Sequence, residues 1–215
     1  MVQRTNKSLR ANRNGDGRKK MIQSLQDYKY YLEQDKLALG IPDNVKRPRL
    51  GTDDVWRWER LLRKREYITN CKNGLFWKIY REWIRFRFHR SSVRLGFSIP
   101  INTFREGLYI SHWGTITVNG RARIGKNCRI QEGVNIGDSR GGVPTIGNNV
   151  YICTGAKVFG EIQVANDVVI GANSVVNKSV TENGVTVAGV PAKIVGLHSS
   201  RPYLNKRLFE NDLRK

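Results

Sequence analysis

A repeat six residues long constrains this chain more than any other feature. Stepping by six from Val118 gives Val118, Ile124, Ile130 and Ile136. After one interruption the series resumes at Ile146, Ile152, Val158, Val164, Ile170 and Val176. Every phased position is Ile or Val, and four are followed by glycine (Gly125, Gly137, Gly147, Gly171). Four residues further on there is usually a small or β-branched side chain: Ala122, Cys128, Val134, Val150, Ala156, Val168, Ser174, Val180. Neither the helical period nor the strand period produces this spacing.

One inward aliphatic per six residues implies one short flat face per unit. Three faces close a triangular coil of about eighteen residues, and stacked coils pair their backbones as parallel strands. The phased aliphatics then form a continuous interior column. Asn127, Asn148, Asn149, Asn166 and Asn173 fall where the chain turns and are suited to corners with φ > 0. A β-sandwich with accidental spacing is the alternative, and ten phased aliphatics make it improbable.

Three segments carry a family likeness: Ile110-Ser-His-Trp-Gly-Thr, the repeats through Ile170-Gly-Ala-Asn-Ser-Val-Val, and the closing Ala188-Gly-Val-Pro-Ala-Lys-Ile-Val195. With these the sequence resembles the hexapeptide-repeat acyltransferases, and within them the serine acetyltransferases and relatives that O-acetylate bacterial surface polysaccharides. The resemblance implies a mainly β fold, a left-handed parallel β-helix, preceded here by an α-helical N-terminal region. It also implies acetyl-CoA as acyl donor and no metal.

The chain divides by composition. Residues 1–20 are polar and basic with little to bury, and are expected to be a disordered tail. They lack the apolar core of a signal peptide, and the organised sequence begins at Met21, which is compatible with translation starting there. Residues 21–95 read as helical: one helix from Met21 to Leu39, a second after Thr52-Asp-Asp-Val, and a third from about Leu75 to Val93. Residues 96–196 hold the β-helix. Residues 197–215 form a basic tail with a short helix expected from Leu204 to Leu213. Cys71, Cys128 and Cys153 are odd in number and show no CxxC spacing; Cys128 and Cys153 fall inside repeat units and read as small packing residues in a reduced compartment.

The formal net charge is +20. No nucleic-acid-binding motif accompanies it, so an anionic polymer, an anionic lipid surface or the phosphates of CoA are the favoured partners. No run of apolar residues is long enough to span a bilayer. The expected location is cytoplasmic, with peripheral contact at the inner face of the membrane as an option. The third helix combines aromatics (Phe76, Trp77, Tyr80, Trp83, Phe86, Phe88) with bases (Lys78, Arg81, Arg85, Arg87, Arg90, Arg94). It either docks on the β-helix or a partner subunit, or lies on an anionic membrane.

His112 stands six before Val118, where the repeat calls for an aliphatic. A polar ring in that register marks a functional position, and the resemblance places the family's catalytic histidine there. A neutral imidazole can take the proton from an attacking hydroxyl. The serine acetyltransferases carry aspartates at the positions of Phe97 and Ser111, and an Arg-His-Pro at Gly142-Val143-Pro144. These departures remove ligands for an amino acid and favour a sugar hydroxyl as acceptor. Glu106 or Asn102 are candidates to orient His112. Trp113 suits stacking on a sugar face, and the loop that interrupts the repeat between Ile136 and Ile146 offers Asp138 and Arg140 as acceptor contacts. By position, Gly137, Thr154 and Ala172 match cofactor-contacting sites of the family, and Lys178 and Lys193 could meet CoA phosphates. The expected assembly is a homotrimer, or a dimer of trimers through the helices.

The first reading is therefore an acetyl-CoA-dependent O-acetyltransferase acting on a capsule, exopolysaccharide or lipopolysaccharide sugar, whether an anionic or a neutral glycan. Serine O-acetyltransferase of cysteine biosynthesis is the alternative enzyme. A non-catalytic, basic β-helical binding protein is the alternative without chemistry.

Overall fold

The computed structural model describes residues 21–210. The expected disordered tail at residues 1–20 lies outside the described residues. Three helices come first: α1 (Leu25–Ala38), α2 (Asp54–Cys71) and α3 (Leu75–Leu95). The Ser24 hydroxyl accepts from the Asp27 N–H and fixes the start of α1. The second helix starts after Asp53 instead of Thr52, and the Asp53 carboxylate accepts the Arg49 N–H at 2.7 Å, not a helix amide. α3 ends at Gly96, whose φ of 80° is the left-handed stop that glycine allows.

Beyond α3 the chain winds into a three-faced parallel β-helix. The first face stacks β1 (Phe97–Ser98), β3 (Ile116–Val118), β6 (Asn135–Gly137), β9 (Lys157–Phe159) and β12 (Val175–Val176). The second stacks β4 (Arg123–Ile124), β7 (Thr145–Ile146) and β10 (Gln163–Val164). The third stacks β2 (Tyr109–Ile110), β5 (Arg129–Ile130), β8 (Tyr151–Ile152), β11 (Val169–Ile170) and β13 (Thr186–Gly189), with β14 (Ala192–Gly196) antiparallel at its end. All ten phased aliphatics are buried, as are the eight small or branched residues four positions after them. Asn127, Asn149 and Asn173 take positive φ at corners. Asn148 and Asn166 serve differently: their side-chain oxygens accept the N–H of Lys126 and of Asn148 on the coil before.

An open β-helix leaves a row of unpaired amides on its first coil, a liability for edge-to-edge association. Here α1 and α2 meet that row with carboxylates. Asp35 accepts the N–H groups of Gly107 and Leu108, both at 2.9 Å. Glu66 accepts from Asn102 at 2.7 Å and Glu59 from Ile110 at 3.0 Å. Fully buried Arg63 ties the acids together, bonding Asp35 and Glu66 and the carbonyls of Phe104 and Arg105. Trp58 seals the junction. Its indole N–H donates to Ser92, and its ring packs 4.9 Å from that of Phe97. Phe97 is thus a core residue.

The C-terminal segment differs from expectation. Instead of a helix from Leu204 it forms two 3-10 turns, Arg201–Tyr203 and Lys206–Leu208, within the described residues. It runs back along the third face. Tyr203 packs on Tyr151, Leu204 is buried, and the Asn205 amide donates to the Leu37 carbonyl at the end of α1.

Candidate functional site

Regular coils advance eighteen residues, as from Tyr151 to Val169. Two coils are longer, and both enlargements fall at corners. Tyr109 pairs with Arg129, twenty residues on, and Arg129 with Tyr151, twenty-two on.

The first enlargement carries His112. Inward residues Ile110 and Val118 are eight apart where others are six apart, and both are buried. The extra two residues widen the corner at 111–115. His112 therefore does not occupy an interior slot, as its register suggested; it sits on the outer corner, exposed to solvent. Its neighbour Trp113 is 65% exposed. The end of α3 props this corner: the Gly114 N–H donates to the Leu95 carbonyl, and a Cβ on Gly96 would come within 2.8 Å of the Gly114 oxygen.

Below His112 the same corner recurs at 131–134, 153–156 and 171–174. Backbone bonds link it rung by rung: Gly133 N–H to Thr115, Gly155 N–H to Glu132, and Asn173 N–H to Thr154. Glu132, Thr154 and Ala172 are thereby stacked on one outer edge beneath His112 and Trp113. Glu132 lies directly under the histidine's turn, because a Cβ on Gly114 would meet the Glu132 Cβ at 2.9 Å. The Thr154 hydroxyl donates to one Glu132 carboxylate oxygen at 2.7 Å; the other oxygen is buried without a hydrogen-bond partner. That carboxyl is held below its ordinary range, first by the Thr154 hydroxyl, then by its own backbone N–H, with the charge of His112 adding to both. Glu132 is therefore the acid on the rung below the His112 turn. Its sequence signal was a glutamate at the repeat's corner position in the coil after the histidine.

The orienting candidates chosen from sequence belong elsewhere. Asn102 is buried among Asn70 and Glu66, and Glu106 is buried beside Arg105, both on other corners of the first coil. The second enlargement, at 138–144, also lies on a different corner, between the first and second faces. Ser139 and Gly142 exchange backbone hydrogen bonds of 3.0 Å across its tip, and Arg140 takes a φ of 51°. Asp138 is paired with Arg121. Gly137 closes β6 at the base of this loop. Within one chain, then, Gly137, Asp138 and Arg140 do not meet His112. Lys178 follows β12 and Lys193 sits in β14, both exposed and toward the far end of the prism.

Two clefts, of about 550 and 850 Å³, flank α3, and neither is lined by His112. A single corner with one histidine and one carboxylate is a site with one wall. Among the described residues no cluster of three or more His, Cys, Asp or Glu could hold a metal ion.

No family model matches the chain. It is 36% identical over 112 residues to the serine acetyltransferase of Synechococcus elongatus, covering 50% of this chain and 46% of that one. It is 44% identical over 92 residues to the serine acetyltransferase of Staphylococcus aureus, covering 41% and 43%. The chain thus spans about half the length of these curated relatives. Among solved structures it superposes on serine acetyltransferase from Brucella abortus with a TM-score of 0.61 and 30% identity, covering 81% of this chain and 71% of that one. The complex of that enzyme with coenzyme A gives a TM-score of 0.60 at 29% identity, covering 81% and 70%.

Proposed function

The chain belongs to the serine acetyltransferase group of the hexapeptide-repeat acyltransferases, and from that premise we propose that it is an acetyl-CoA-dependent O-acetyltransferase with His112 as general base. The observation that carries the reading is the placement of His112: solvent-facing, on a widened corner, with Glu132 stacked beneath it. An imidazole nitrogen takes the acceptor's hydroxyl proton as that oxygen attacks the thioester carbonyl. The tetrahedral adduct then collapses, the C–S bond breaks, and the departing CoA sulfur receives the proton back from the imidazolium. Glu132 stabilises the imidazolium between those two events and holds the ring's orientation. Thr154 fixes Glu132.

The donor would lie along the same edge, where Thr154 and Ala172 leave room for a thin pantetheine arm beside the backbone. Gly137, with Lys178 and Lys193 for the CoA phosphates, completes this assignment from other parts of the prism. They reach the donor only if a neighbouring copy supplies the second wall. We therefore assign the enzyme to a homotrimer, with clefts formed where the His112 corner of one copy meets the 138–144 loop of the next. A monomer in light scattering would overturn that arrangement.

The acceptor is an alcohol. The relatives are named serine acetyltransferases, which favours L-serine over the glycan hydroxyl that the sequence put first. One set of observations supports the sugar as a second reading: Trp113 stands exposed beside His112, and the loop offers Gly142-Val143-Pro144 in place of the Arg-His-Pro of the relatives. Release of free CoA thiol from acetyl-CoA, followed with L-serine and with neutral and acidic glycans, decides between them. Failure of all acceptors, or full activity in His112→Ala, would refute the enzyme reading.

A further inference from the structure

α3 has two apolar faces. The first packs on the rest of the protein through Ile84, Phe88 and Leu95, all buried. The opposite face is open. Phe76, Ile79, Trp83, Phe86, Arg90 and Val93 alternate at three and four residues, which places them along one stripe of the helix. The apolar members are exposed, from 47% at Trp83 to 68% at Phe76 and Ile79. A continuous apolar stripe on a folded chain marks an interaction surface.

The charges beside the stripe restrict what can cover it. Arg87 lies over the Trp83 ring at 4.7 Å and Arg90 over the Phe86 ring at 5.8 Å. Next to them a cleft of about 850 Å³ between α2 and α3 is lined by Arg57, Arg60, Lys64, Arg87, Arg90 and Arg94, with Asp54 as its carboxylate. Asp54 is already engaged by Arg57 and Arg94. On α3 itself Glu82 is paired with Arg85. A second copy brought against this face would set arginine against arginine, with Arg90 inside the seam, in a chain of net charge +20. An apolar plane backed by a sheet of anions matches it: tryptophan and phenylalanine at the boundary, guanidinium groups among the phosphates.

We propose that α3 is a monotopic anchor, lying in the plane of an anionic phospholipid bilayer with Phe76, Ile79, Trp83, Phe86 and Val93 inserted and the adjoining basic cleft holding lipid phosphates. Among the described residues no helix is long and apolar enough to cross a membrane, so this contact is with one leaflet. The contact does not depend on which acceptor the His112 corner takes.

The test uses the full chain and vesicles of phosphatidylcholine with or without one-third phosphatidylglycerol, scored by co-sedimentation. Each cation near the anionic surface is worth roughly fivefold in partition, so binding should rise well over about tenfold with phosphatidylglycerol and fall with added salt. The Ile79→Ser/Trp83→Ser/Phe86→Ser variant, whose changes are all at exposed positions, should lose at least about tenfold in partition while keeping its acetyl-CoA turnover and thermal transition. Arg87→Gln/Arg90→Gln should lose a similar factor and show a shallower salt dependence. Equal binding to both vesicle types, no binding to either, or an unchanged triple-serine variant overturns the proposal. So does a parent whose mass by light scattering halves in the triple-serine variant, which would make the stripe a seam between copies.

Discussion

Replacing Asp35 by alanine should cost about 4 kcal/mol of folding stability, and the reason lies in what one carboxylate does at the mouth of the β-helix. Asp35 is almost completely buried. One of its oxygens accepts the N–H groups of Gly107 and Leu108, and both oxygens bond the Arg63 guanidinium, at 2.7 and 3.3 Å. Arg63 has no exposed side-chain surface. Burial alone would depress its ionisation, and Asp35 and Glu66 more than offset that. Alanine leaves a buried guanidinium short of one partner and two coil-edge amides with none. Breaking a buried pair from one side costs about 3–5 kcal/mol, and unmet buried amides add to it. Urea denaturation followed by circular dichroism measures the loss. Asp35→Asn, which keeps an acceptor for the amides, should lose about half as much. The double variant Asp35→Ala/Arg63→Met should recover about 2 kcal/mol relative to the sum of the single variants, because the guanidinium that Asp35→Ala leaves short of a partner is gone. A loss below about 1 kcal/mol in Asp35→Ala, or strict additivity in the cycle, would refute the idea that this network closes the edge.

Three further outcomes follow from particular contacts. His112→Ala should lower kcat by about 10²-fold or more with little change in thermal stability, since the ring is exposed. Glu132→Gln should lower kcat about tenfold and leave KM for acetyl-CoA and the thermal transition nearly unchanged; a residue that served only to support the corner would lower the thermal transition as well. Burial, then the nearby Asp35 charge, pushes the Glu59 carboxyl well above the usual 4.5. Its contribution to stability is therefore full below about 4.5 and is lost as pH rises toward the folded value, at up to about 1.4 kcal/mol per unit. In Glu59→Gln that slope disappears, so stability of the variant minus that of the parent should climb between pH 5 and pH 8 in denaturation curves. A flat difference would show that Glu59 titrates alike folded and unfolded.

The interior of the β-helix was legible because it is repetitive. Each Ile or Val in phase answers the same steric question, and Ile136 or Val164 could be assigned without knowing any other part of the fold. The corners were half legible. Asparagines that adopt positive φ and asparagines that accept a neighbouring coil's amide look the same in sequence, as Asn149 and Asn148 do. The register argument for His112 does not hold. Counting back by six from Val118 lands on it, but the corner holds two additional residues, and length changes at corners leave no periodic trace. The edge network was not legible, since Asp35, Glu59, Arg63 and Glu66 read as solvent-facing charges on helices. Only the pairing with amides more than thirty-five residues away, such as Asn102 with Glu66, explains why they can be buried. Glu132 was missed for a related reason: its relation to His112 is vertical, between coils.

Phe97, Ser111 and Glu132 bear together on the proposed role of His112. A base on a solvent-facing corner needs a negative group within reach of its proton-bearing form. With Phe97 locked against Trp58 and a serine at position 111, neither position can provide it. The coil below can, because corner positions stack in register whatever the strand sequences do. Thr154, one rung lower, then holds the Glu132 side chain in place. The same stacking implies a concrete dependence. Thr154→Val keeps the volume and removes the hydroxyl, so it should depress kcat only while Glu132 is present. In Glu132→Gln, where no carboxylate remains to be held, adding Thr154→Val should change kcat by less than about twofold. Full additivity of the two changes would separate Thr154 from Glu132 and return it to a role in donor contact alone.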